Sequence, residues 1–166
     1  MTSDYVKSEI AKIVNNTNYE FPLNLSMAAA WIAAHYKAEN IKIYNAKNFS
    51  SLADNFVCSV LNAILPSALA DELVRIMREH KARPLSVEGT TDGQWVLVDL
   101  GDIIIHIFNS EARSIYDLDE LWFKLPQIKI PEEFYLSSHV RPEPSKKEKE
   151  IEIKRTNLRT KAKTKI

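Results

Sequence analysis

The sequence predicts an α/β fold, a mixed five-stranded sheet with helices packed on it. Three observations lead there. Residues 26–37 and 66–81 carry apolar side chains at helical spacing. After Pro84 the pattern switches to a period of two over three short runs separated by glycine-bearing turns. Two earlier runs, residues 41–44 and 55–61, are rich in apolar and β-branched residues. With 166 residues, 45% apolar and 27% charged, the chain has room for one such domain and little for a second.

Residues 3–14 read as an amphipathic helix, with Tyr5, Val6, Ile10, Ile13 and Val14 on one stripe and Lys7, Glu9 and Lys12 beside it. Asn15, Asn16, Thr17 and Asn18 end it, and Pro22 and Asn24 extend the break. Ser26 stands where an N-cap belongs, ahead of a helix through Lys37 built on Ala28, Ala29, Ala30, Trp31, Ala33 and Ala34. A strand follows at 41–44; residues 49–54 read as a connection with one helical turn, and 55–61 as an apolar strand suited to a sheet centre. Pro66, at a first helical position, opens a helix that buries Leu69, Leu73, Ile76 and Met77 and turns Asp71, Glu72, Arg75, Arg78 and Glu79 to water. Residues 85–88, 94–98 and 103–108 form a meander, because connections as short as those through Gly89, Gly93 and Gly101 join antiparallel neighbours. The two earlier strands are expected to be parallel to one another. Short helical turns at 110–112 and 114–122 close the domain.

Beyond Trp122 the character changes: Pro126, Pro131, Pro142 and Pro144 interrupt any periodicity, and Lys and Glu dominate the end. The chain thus divides into an N-terminal helical extension (1–25), the α/β domain (26–123) and a Pro- and Lys-rich C-terminal extension (124–166) that is partly disordered, with transient helix over 148–159. The formal net charge of zero conceals an asymmetry. From Arg141 onward there are 10 Lys and Arg against 4 Asp and Glu, which leaves 12 basic and 18 acidic residues before it. An acidic globule with a basic tail attracts a basic partner at one end and polyanions at the other, each within a Debye length of about 8 Å. The single Cys excludes an internal disulfide and any Cys-rich metal module, and without a leader-like opening the expected compartment is the reducing cytoplasm. No apolar run approaches the roughly 20 residues that cross a bilayer, so a membrane span is not expected.

Few residues offer chemistry. Gly89, Gly93 and Gly101 sit at strand ends, where turns need them, and make no phosphate loop. Asp99 and Asp102 flank a turn at a sheet edge, where two carboxylates could hold a divalent metal for nucleotidyl or phosphoryl transfer; turn chemistry explains them too. His106 shares a sheet face with Ile104 and Phe108, an apolar setting that lowers an imidazole pKa, and reads as a hydrogen-bonded structural residue. His35, His80 and His139 show no metal-ligand spacing with it. Cys58 lies in the most apolar strand and reads as inert core. What remains is an interaction surface: Trp95, Tyr116, Trp122 and Phe123 among Asp99, Asp102, Asp117, Asp119 and Glu120, aromatic anchors ringed by carboxylates as a basic protein would require. Core packing explains Trp122 equally well.

Residues 84–89 (Pro-Leu-Ser-Val-Glu-Gly), 93–108 (Gly-Gln-Trp-Val-Leu-Val-Asp-Leu-Gly-Asp-Ile-Ile-Ile-His-Ile-Phe) and 111–122 (Glu-Ala-Arg-Ser-Ile-Tyr-Asp-Leu-Asp-Glu-Leu-Trp) closely resemble the ribosomal silencing factor family, RsfS, also called YbeB or Iojap. Weaker matches at Ala38-Glu39-Asn40-Ile41, Ser50-Ser51-Leu52-Ala53-Asp54 and Ala70-Asp71-Glu72-Leu73 extend the resemblance over residues 31–122, leaving those before about Ser26 and after Phe123 outside it. The resemblance implies a nucleotidyltransferase-like fold without catalytic apparatus, cofactor or metal. It also implies a factor that docks on the large ribosomal subunit through protein uL14, blocks joining of the small subunit and represses translation when nutrients run short. Trp95 and Tyr116 match the family positions associated with that contact, and Asp99, His106, Leu118 and Trp122 occupy other motif positions. One departure is local: where family members usually carry a small Gly/Ser/Thr-rich turn after the second strand, this chain has Leu61-Asn62-Ala63-Ile64-Leu65-Pro66.

Three further expectations complete the reading. A metal-dependent transferase using Asp99 and Asp102 is the alternative to a non-enzymatic repressor. The apolar face can bury itself against a second copy, giving a homodimer when free. The basic tail either contacts ribosomal RNA nonspecifically or is simply a solvated end.

Overall fold

A computed structural model of the chain describes residues 3–135 and 146–163. His139, Arg141, Pro142 and Pro144, named above for the C-terminal part, lie outside the described residues. The fold is α/β, built on one six-stranded mixed sheet with order β3-β4-β5-β2-β1-β6. Its strands are β1 (Glu39–Asn45), β2 (Asn55–Val60), β3 (Ser86–Glu88), β4 (Trp95–Asp99), β5 (Ile103–Phe108) and β6 (Gln127–Ile128).

Three helices cover one face: α1 (Asp4–Val14), α2 (Leu23–His35) and α3 (Pro66–Glu79). In α1 the predicted stripe buries Val6, Ile10 and Ile13, and Ser3 caps the start by accepting from Val6 N–H at 3.3 Å. The central helix, α2, is buried along almost its whole length, as a helix apolar on every side must be. Its alanines, including Ala28, Ala30 and Ala34, bring its backbone close to the sheet. Ser26 does not cap this helix. It lies one turn inside, where its Oγ donates to Pro22 O at 3.2 Å and accepts from Asn55 Nδ2 at 3.0 Å. The hydroxyl therefore ties α2 to the first residue of β2, and the helix begins at Leu23 without a side-chain cap. In α3, Leu69, Leu73, Ile76 and Met77 are buried as the periodicity requires, and Pro66 opens the helix.

Two expectations about the sheet are corrected. β1 and β2 are antiparallel, with Lys42 opposite Cys58 and Tyr44 opposite Phe56, because the connection over residues 46–54 is too short for the dozen or more residues of a parallel crossover. The parallel pair is β2 with β5, Cys58 beside His106, bridged through α3 and the β3–β4 hairpin. There is also a sixth strand. β6 adds antiparallel to β1, Ile43 opposite Ile128, and gives only two residues of pairing, too little for a sequence pattern to register. A 3-10 turn, Glu132–Tyr135, follows and buries Phe134 and Tyr135 against the helical layer.

The opposite face of the sheet carries a second, smaller core of Tyr44, Ala46, Ala53, Phe56, Cys58 and Ile104. It is roofed at one end by α4 (Ser110–Tyr116) and α5 (Leu118–Leu121). The last helix, α6 (Lys146–Lys163), lies in the Lys- and Glu-rich end.

Candidate functional site

Strand alternation decides what this second face offers. On β4 it directs Val96 and Val98 into the helical core and leaves Trp95, Leu97 and Asp99 on the other side. The ladder places Trp95 opposite Phe108, Leu97 opposite His106 and Asp99 opposite Ile104. On the edge strand β3, Glu88 is opposite Leu97 and Ser86 opposite Asp99, so these two residues share the face. A β-sheet face of this kind would ordinarily be buried, yet α4 and α5 cover only part of it.

Trp122, just after α5, closes the covered part. Its indole stacks on Phe56 with ring centroids 4.3 Å apart and planes 12° from parallel, and stands 5.2 Å from His106 and 5.7 Å from Tyr44. Trp95 stacks on Phe108 at 5.2 Å and meets the Tyr116 ring at 4.7 Å. Tyr116, at the end of α4, is 53% exposed, and Leu121 is 72% exposed. Between Leu121 and the loop before β2 runs an open groove of about 410 Å³, lined by Phe49, Leu52, Leu97, His106, Leu121 and Trp122.

His106 lies under this surface, 5% exposed. Trp95 Nε1–H donates to its Nδ1 at 3.1 Å, which makes Nδ1 an acceptor and requires a neutral ring. Burial first, and the nearby positive charge of Arg113 second, push its pKa down to about 4. The imidazole thus orients the half-exposed indole from below. Cys58, on the neighbouring strand, is fully buried, and burial pushes its thiol up to about 12, so it is not a nucleophile at neutral pH.

The two carboxylates weighed for metal chemistry are spoken for differently. Asp99 Oδ1 accepts from Gly101 N–H at 2.8 Å, closing the β4–β5 turn, where Gly101 has φ +87°. Asp102 is exposed, and its backbone oxygen accepts from Asp54 and Asn55 N–H at 2.9 and 3.2 Å. Among the described residues, no three or more His, Cys, Asp or Glu side chains group as they would to hold a metal ion.

Asp119, counted by sequence among the acidic rim, turns inward instead. It is 8% exposed and accepts from Arg113 Nε at 2.7 Å, Arg113 Nη2 at 3.0 Å and Tyr44 O–H at 2.5 Å, with Lys42 Nζ at 3.4 Å. Burial alone would raise its pKa, but Arg113, Tyr44 and Lys42 together outweigh burial and hold it at about 2. Burial and the adjacent carboxylate drive the Tyr44 phenol strongly upward. The backbone brings this about through Asp117, whose left-handed φ of 39° reverses the chain between α4 and α5 and whose carboxylate caps α5 by accepting from Glu120 N–H at 3.3 Å. The buried cluster fastens the α4–α5 roof to β1. Leu118, half-buried, starts α5 immediately after this reversal.

The profile of the family described as "Ribosomal silencing factor during starvation" matches residues 21–163. This chain belongs to that family. Its match runs beyond both ends of the resemblance read from the motifs, over a range that includes the start of α2, β6 and α6. Ribosomal silencing factor RsfS of Halalkalibacterium halodurans is 34% identical over 95 residues, 57% of this chain and 81% of that protein. RsfS of Bacillus subtilis is 34% identical over 91 residues, 54% and 77% of the respective chains. A crystal structure of a protein from Bacillus halodurans superimposes with a TM-score of 0.53 at 31% identity, covering 65% of this chain and 96% of that one. Ribosome silencing and ribosome association are therefore this chain's family function. Among the described residues no helix is long and apolar enough to cross a membrane.

Of the six residues singled out from the sequence, the structure gathers Trp95, His106, Tyr116 and Trp122 into one chain of aromatic contacts. Asp99 lies on the same sheet face and Leu118 beside the roof. Sequence reasoning missed Lys42, Tyr44 and Arg113. A lysine between Ile41 and Ile43 has the pattern of a solvated strand position, and nothing local signals that Asp119 receives it. Asn62 was also missed: within the loop that departs from the family pattern, its Oδ1 accepts from Ser110 N–H at 3.2 Å and Oγ–H at 2.9 Å, joining that loop to the first turn of α4.

Proposed function

We propose that this silencing factor acts as a steric wedge: its open aromatic face seats on ribosomal protein uL14 of the large subunit and prevents the small subunit from joining. The observation that carries this reading is the Trp95–Tyr116 pair, two large rings in contact at 4.7 Å, of which Tyr116 remains 53% exposed. Rigid, partly exposed aromatics are the anchors that dominate protein interfaces. The carboxylates of Glu88, Asp99 and Asp117 on this side of the domain favour a basic partner by attraction at short range. The chain acts by occupancy, without catalysis, cofactor or metal, in the cytoplasm, and its use is to hold translation down under nutrient limitation.

The experiment is a subunit-joining assay. Large subunits saturated with the protein and then challenged with small subunits should sediment separately instead of as whole ribosomes. Tyr116→Ala is the cleaner variant, since its ring is mostly outside the core; losing an anchor of about 2 kcal/mol weakens large-subunit binding about 30-fold. Trp95→Ala has the same effect on binding and also removes the hydrogen bond to His106. Normal ribosome assembly in the presence of saturating protein, or unchanged co-sedimentation of both variants, would overturn the proposal.

A further inference from the structure

The C-terminal helix has a composition that packing does not explain. Among its described side chains, those from Glu152 to Asn157 are exposed, and Ile153 is 60% exposed. A helical stretch this exposed is not held down by burial. Lys147 ties it to the body: its Nζ lies 2.7 Å from Glu120 Oε1 of α5 and 5.6 Å from the centre of the Phe123 ring. This anchor sits on the roof of the aromatic face.

Charge along the helix is segregated. Residues 146–153 hold three Lys and three Glu, whereas residues 154–163 hold Lys154, Arg155, Arg159, Lys161 and Lys163 and no acidic residue. At about 1.5 Å per residue, the basic half begins about 10 Å and ends about 24 Å along the helix from Lys147. It therefore lies beyond a Debye length of about 8 Å from the Glu120 anchor, where that carboxylate is screened from it. Glu150 and Lys154, four residues apart with the acid first, support the helix at the junction of the two halves.

We propose that α6 is a stalk that carries a polybasic end to an RNA phosphate backbone next to the docking face. A protein partner would need apolar anchors, and residues 154–163 contain only Leu158 and Ala162. A membrane surface would need a broad apolar face, which this sequence does not supply. A phosphate backbone needs neither, because Lys and Arg bind it by releasing counterions. The inference rests on the ribosome-docking proposal only for the identity of the nucleic acid as ribosomal RNA. Contact through α6 adds affinity by effective concentration once the aromatic face is seated.

The test uses the full chain and a fluorescent RNA hairpin of about 20 nucleotides, titrated from about 50 to 200 mM salt. Wild type should bind with log K falling against log salt at a slope of about −2 or steeper, since each neutralised phosphate contributes about 0.9. A variant carrying Lys154→Gln, Arg155→Gln, Arg159→Gln, Lys161→Gln and Lys163→Gln keeps good helix formers, checked by circular dichroism, and should lose at least tenfold in affinity with a flatter slope. Tyr116→Ala should bind the hairpin like wild type, so a failure of the docking reading would appear in subunit sedimentation and not here. Equal hairpin binding by wild type and the five-fold variant would overturn the proposal, and so would displacement by poly-glutamate as effective as by unlabelled RNA, which would make α6 a contact for acidic protein.

Discussion

Lowering the pH should destabilise this protein through His106, a group whose effect can be isolated. In the fold its pKa is about 4, against 6.5 for an ordinary histidine. Because the folded value is depressed, the unfolded chain takes up a proton first as pH falls. The stabilisation is complete above about pH 6.5 and is lost progressively toward pH 4. Its size is about 3 kcal/mol at most, with a limiting slope of about 1.4 kcal/mol per pH unit. Geometry supplies the reason: protonating Nδ1 would set an N–H against Trp95 Nε1–H, which donates to that nitrogen at 3.1 Å, inside a site only 5% exposed. Urea unfolding at intervals between pH 7.5 and 4, on wild type and His106→Gln, measures it. Gln keeps an acceptor for Trp95 and does not titrate, while every carboxylate and the other histidines are common to both proteins. The wild-type curve should fall away from the variant's below about pH 6.5. Parallel curves, or a His106 imidazole resonance, assigned by its loss in His106→Gln, that titrates near 6.5 in the folded protein, would refute the argument.

Other consequences are simpler to state. Arg113→Ala leaves Asp119 buried beside Tyr44 with its principal partner gone, and should cost about 3 to 5 kcal/mol in chemical denaturation. Gly89→Ala places a Cβ 2.0 Å from Trp95 O at a φ of +82°, so the β3–β4 connection must shift; a loss of about 2 kcal/mol or more in stability should accompany weaker large-subunit binding. Tyr116→Ala should leave the thermal midpoint within about 2 to 4 °C of wild type, since it removes a mostly exposed ring worth under about 1 kcal/mol to the fold. A larger drop in midpoint would mean the ring is structural.

Much of the fold was legible because the signals are local. The apolar stripes of α1 and α3, the proline that opens α3 and the turns at Gly89 and Gly101 act through neighbours a few residues away, and they appear where the spacing put them. On the second face, alternation within β5 groups His106 with Ile104 and Phe108, but only the ladder brings Trp95 opposite Phe108 and only packing leaves that side away from the helices. Ser26 was misread because a serine ahead of an alanine run looks the same whether it caps the helix or bonds back to residue 22 within it. Asp119 was misread because nothing near it in sequence announces Tyr44, 75 residues earlier, as its partner.

The sequence alone determined the fold class, the helix faces, and the family through a long ordered motif; each is set by periodicity or residue order along the chain. Tertiary structure decided that β1 runs antiparallel to β2, that β6 extends the sheet, that Asp119 turns inward to pair with both Lys42 and Arg113, and that Tyr116 stays exposed while Trp122 is stacked against Phe56. These depend on which distant segments meet. A strand's pattern specifies a face to bury but not the partner that buries it, and a buried charge is tolerated only once its counter-charges arrive from elsewhere in the chain.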